Sequence, residues 1–209
     1  MTEPKTDTLP LRSGGEDKAG HINRSQRYFI IWTVIFGVTL GLGGSALQPF
    51  PIPFLGITAD SPLVALMITL NKMVVRRRLS VTAMYCVVTI LASFTSYLGP
   101  PSLLKPIFIL AAFTFDAGTF FRTDNLRFWN VAVGHAAVTI SGFAAFWLLV
   151  KIHVPATATV VGKALVVAAP IHIIQSVIVA AIVWKALPFN APPPFIKRIQ
   201  EQLGAVDDV

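Results

Sequence analysis

Residues 28–46 read YFIIWTVIFGVTLGLGGSA: nineteen positions without a charge. At 1.5 Å per residue, a helix of about 20 apolar residues crosses the hydrocarbon of a bilayer, and this run is the first of several that qualify. Working outward, the chain is 54% apolar and 13% charged with a mean hydropathy of +0.68. Soluble domains carry about 25% charged residues, so the composition predicts an all-α membrane protein. The 209 residues make room for one domain. The net charge of +7 raises nucleic-acid binding as a class. The cations, however, stand singly or in short groups beside apolar runs and form no basic face with interleaved aromatics. The lone cysteine, Cys86, excludes an intrachain disulfide.

Upstream, residues 1–27 are polar, mixed in charge and rich in Ser, Gly and Thr. They lack the apolar core of a signal peptide and predict a disordered cytoplasmic tail. Downstream of the first run come five more apolar segments: about 62–75, 80–98, 103–121, 128–150 and 159–184. All but the second reach spanning length. The second, about 21 Å long as a helix, is short. Residues 28–187 are therefore read as a six-helix transmembrane domain and 188–209 as a proline-rich cytoplasmic tail. An interfacial turn and a short amphipathic helix are expected there.

The cations set the orientation. With the N-terminus inside, fourteen of the seventeen Lys and Arg fall on the cytoplasmic side, in the tail, at Lys72 and Arg76–Arg78, at Arg122 and Arg127, and after Trp184. Only Lys105, Lys151 and Lys163 fall outside. This positive-inside bias predicts six spans with both termini in the cytoplasm.

Residues 47–63, LQPFPIPFLGITADSPL, then form a long, apolar outer loop. Prolines at 49, 51 and 53 predict a non-helical stretch, because each fixes its own φ and restricts the residue before it. Seventeen residues is long for a connector, so the segment reads as a lid over the bundle; an interfacial turn anchored by Phe50 and Phe54 is the plainer alternative.

Polar residues inside the spans are costly and mark interhelical pairs or sites. Gly37, Gly41 and Ser45 recur every four residues and give span one a small-residue face, for packing inside the bundle or for docking a partner. Lys105 and Asp116 share one stripe of span four, and Asp116 reads either as a functional carboxylate or as a partner of Lys72, Arg122 or Arg127. His135, Thr139 and Gly142 share a face of span five. His172, Gln175 and Ser176 follow Pro170 in span six, with Lys163 on the opposite side. These residues suggest a ligand pocket or interhelical hydrogen bonds. No catalytic motif is present, and two histidines on different helices are a weak metal signal.

This layout resembles the substrate-binding component of energy-coupling-factor vitamin and metal importers. The likeness rests on six spans with both termini inside, the Gly37/Gly41/Ser45 face, the short second span followed by arginines, and the PIPF stretch at residues 51–54. It implies a non-enzymatic, plasma-membrane subunit that binds a small nutrient and works with a coupling membrane subunit and ATPases, with no cofactor of its own. It implies a gate at residues 48–60, with Gln48 and Asp60 near the ligand. The pocket would be lined by Tyr97, Lys105, His135, Lys163, His172 and Gln175, and Gly37, Gly41 and Ser45 would meet the coupling subunit. Two other readings compete: an accessory subunit of a larger membrane complex, and an intramembrane enzyme or small-solute channel built round Asp116, His135 and His172.

Overall fold

A computed structural model describes residues 24–47, 55–95, 97–98, 102–123, 125–189 and 191–203. Gln48 and the PIPF stretch lie outside the described residues, and of Asp60 only its place in a helix is described. The described chain is all helix and turn: α1 (Arg24–Leu47), α2 (Leu55–Val75), α3 (Ser80–Ser93), α4 (Ile107–Gly118), α5 (Phe128–His153), α6 (Ala158–Ala186) and α7 (Pro194–Gln202). A single 3-10 turn, Pro155–Thr157, joins α5 to α6. Three helices are long and apolar enough to cross a membrane: Ser25–Ala46 of α1, α5, and Pro155–Ala186, which runs from that turn through α6. The apolar helices of α2, α3 and α4 are shorter.

Two expectations are corrected. Residues 55–63 are helical, and Pro62 sits inside α2. Proline costs a helix one hydrogen bond, a loss tolerated where neighbouring helices hold the backbone. The third and fourth segments are shorter as helices than their apolar runs. α3 ends at Ser93 and α4 starts only at Ile107, giving about 21 and 18 Å of helix. Hydropathy counts residues 94–98 and 103–106 as span, but the backbone at 94–95, 97–98 and 103–106 is not helical.

The reason lies in Lys105. Its side chain is fully buried, and Nζ donates to the carbonyls of Ala92 and Thr95 at 2.7 Å each, and to that of Tyr97. The ammonium thus collects carbonyls at and just beyond the C-terminus of α3, sharing that of Ala92 with the Thr95 amide, and a cation there also suits the helix dipole. At the other end of α3 no side chain caps from Leu79. Instead Asp116 of α4 accepts the Thr82 amide at 2.9 Å and the Thr82 hydroxyl at 2.7 Å. Asp116 of α4 and Lys105, in the turn just before α4, therefore cap the two ends of α3 with opposite charges, each matched to the dipole.

Helix packing closes a ring. In spatial order the neighbours are α1, α3, α4, α5, α6, α2 and again α1, with a lighter contact of α2 to α3 across it. Glycines set the tightest crossings. A methyl on Gly118 would lie 2.9 Å from the Gly134 Cα, so α4 and α5 touch backbone to backbone. At the arginine-rich end, α7 lies across α1 and α2. Its Gln200 donates to the Met73 carbonyl at 3.0 Å, and Arg77 donates to the Leu203 carbonyl at 3.1 Å. Arg76 donates to the Phe189 carbonyl and rests on its ring, which stacks on Trp184.

Candidate functional site

Inside the ring lies a cavity of about 110 Å³, bounded by α2 to α6. α5 contributes His135, Thr139 and Gly142, the face expected to be polar and small, and α6 contributes His172 and Ser176. Apolar side chains, among them Phe108, Val138 and Phe146, form most of the remaining wall. For scale, an apolar protein cavity of about 150 Å³ holds benzene. The space suits one ring or a short chain with few polar groups.

Each histidine is positioned. His135 is buried, its Nε2 2.9 Å from the Thr69 hydroxyl of α2, and its ring meets Phe115 edge-on at 5.1 Å. Gly134 beside it admits Phe115, since a methyl there would come within 2.9 Å of that ring. His172 is held edge-on by Phe143 at 4.9 Å between centroids. Gly142 has open space: a methyl there would meet only the Ala111 Cβ, at 4.0 Å, so a larger side chain would grow into the cavity.

The other sequence candidates are placed elsewhere. Lys105 is spent on the α3 carbonyls and does not line the cavity. Tyr97 is buried with its ring against Gly44 of α1, where a methyl would come within 2.3 Å of it. Gln175 is half-buried and off the cavity wall, and its buried Oε1 has no hydrogen-bond partner among the described residues. Lys163 is exposed and lines a different, outward-facing groove between α5 and α6. Asp116 does not join the histidines. Its carboxylate pairs with Lys72 Nζ at 2.9 Å, both side chains fully buried, while Lys72 also donates to the carbonyls of Arg77 and Arg78.

The Gly37/Gly41/Ser45 face, expected to meet a coupling subunit, is covered by α3. A methyl on Gly37 would lie 2.6 Å from the Val87 Cβ, and one on Gly41 would lie 3.0 Å from Leu91. Ser45 bonds back to the Gly41 carbonyl at 2.7 Å. The close approach that small residues permit is used within the bundle.

Sequence reading missed the α2 contribution, Thr69 and Val64, because a threonine inside an apolar run carries no signal of its direction. Among the described residues, no three His, Cys, Asp or Glu side chains cluster to hold a metal. Comparison with known protein families, with characterised proteins and with solved structures finds no match.

Proposed function

We propose that this chain is an integral membrane protein of six crossings, both termini cytoplasmic, that binds a small, mainly apolar molecule in the His135/His172 cavity. Its larger role is the substrate-binding subunit of a nutrient importer in the plasma membrane, working with a coupling membrane subunit and ATPases. The observation that carries the reading is the cavity itself: a concave, largely apolar space with a few convergent polar groups is the form ligand sites take. The fourteen-to-three split of Lys and Arg supports the orientation. With the glycine face of α1 already occupied, the coupling contact falls to the outward face of α1, where Ile31, Val34 and Ile35 are exposed.

The test is thermal stabilisation of the detergent-purified chain across vitamins, metal ions and small carboxylic and aromatic compounds, repeated on Gly142→Leu. A true cavity ligand raises the wild-type melting temperature with concentration and leaves the filled variant unmoved. Absence of any stabilising compound, or equal stabilisation of both proteins, counts against the reading.

The accessory-subunit alternative has one observation in its favour: Lys72, Asp116 and Lys105 are all consumed by interhelical bonds, as structural polar residues are. Stoichiometric co-purification with partners that are not ATPases would favour it.

A further inference from the structure

The groove that holds Lys163 has a relation to the cavity. It lies on the outer side of the α5–α6 seam, about 540 Å³ in volume, and Ala144, Val166 and Ala169 are among its apolar walls. Phe143 and Leu165 belong to both spaces: each lines the groove on one side and the cavity on the other. At these two positions a single side chain borders both spaces, and one of them, Phe143, is the ring that rests on His172.

The charges at the groove are also uneven. The seam lies toward the end opposite the arginines, where the sequence places three lysines. Lys105 is buried against α3, which leaves Lys151 and Lys163, and both are exposed beside this groove. Lys163 is part of its wall. Lys151 sits 5.0 Å from the ring centroid of Trp147, which is also part of the wall. Trp147 is fixed by its indole N–H, which donates to the Ala158 carbonyl at 3.1 Å, and Gly162 leaves room for it. An apolar trough with cations at one end and a thin wall to an apolar cavity matches a molecule with an anionic head and a short hydrocarbon tail.

We propose that groove and cavity are two halves of one site for a medium-chain carboxylate that enters sideways from the bilayer. Its carboxylate rests on Lys163 and Lys151, its chain lies along the α5–α6 groove, and its tail end passes Phe143 and Leu165 into the cavity. The proposal rests on the cavity's being a binding site and adds the class of ligand and its route. The cavity alone takes a ring-sized group; a bipartite site takes about eight carbons, because the groove holds the rest.

The test uses octanoate, octanol and two brominated octanoates on the full chain in nanodiscs, in a variant that keeps Trp147 as its sole tryptophan. Octanoate is expected to bind about tenfold more tightly than octanol, and Lys163→Gln is expected to erase most of that difference, as for one lost charge-assisted hydrogen bond. Bromine at carbon 2 should quench Trp147 strongly and bromine at carbon 8 weakly, because the far end lies beyond the partition. Ala144→Phe, which fills only the groove, and Gly142→Leu, which fills only the cavity, should each weaken octanoate binding at least tenfold. Equal affinity for acid and alcohol, indifference to Ala144→Phe, or the reverse order of quenching overturns the proposal. A cavity ligand lost in Gly142→Leu but indifferent to Ala144→Phe and Lys163→Gln would overturn this proposal while leaving the cavity's binding role standing.

Discussion

Asp116 and Lys72 are each other's reason for being buried. An isolated charge inside an apolar bundle costs several kcal/mol, so removing one partner hurts more than removing both. Asp116→Leu and Lys72→Met are each expected to cost about 3–5 kcal/mol, and the two together are expected to cost less than the sum. Chemical unfolding in detergent micelles measures all three; strictly additive losses would mean that the pair is not coupled. Part of this was legible in the sequence, because Asp116 lies one helix length from Lys105 and near the arginine-rich turn, within reach of Lys72. The fate of Lys105 was not, because its partners are main-chain carbonyls, which carry no residue identity. A lone lysine therefore resembled a pocket cation.

At the scale of elements, α3 depends for both its caps on α4 and the turn that leads into it. Lys105→Met takes the ammonium donor from the Thr95 and Tyr97 carbonyls, while the Ala92 carbonyl keeps the Thr95 amide at 3.0 Å. Each orphaned buried acceptor costs about 1–3 kcal/mol, so the variant should lose at least that much and exchange faster at the amides of residues 94–98. Unchanged stability and exchange would mean the carbonyls find other donors. For α1, Gly37→Leu should destabilise by about 1–3 kcal/mol, because its side chain must displace Val87 of α3. If the variant instead folded as well as wild type, that face would be free to dock a partner. The helices themselves were legible in the apolar runs, and the short helix at the C-terminus, α7, was legible in its amphipathic spacing. The ends of α3 and α4 were not, since a hydropathy run cannot distinguish helix from buried coil that a lysine satisfies. The upstream turns of α2 were hidden for the opposite reason: the prolines at 49, 51 and 53 read as a break that extends to Pro62, whereas the helix begins at Leu55.

The whole molecule is a ring of six helices with α7 laid across its arginine-rich end. Ring order left no mark in the sequence, because it is written in pairwise fits such as Gly118 on Gly134 that no periodicity reveals. Of the candidate site, the two histidines and the Thr139/Gly142 face were legible from helical spacing, whereas Thr69 and the thin wall at Phe143 were not. Orientation is testable on exposed positions in a Cys86→Ser background. His153→Cys should react with an impermeant maleimide applied to intact cells, and Lys197→Cys only after permeabilisation; the reverse pattern would invert the protein. The most direct test of the account is native mass spectrometry of the chain released from nanodiscs loaded with a stabilising ligand. Wild type should carry one ligand per chain and Gly142→Leu, equally folded, none. A filled variant that keeps the ligand at wild-type occupancy would place binding outside the ring and contradict the account.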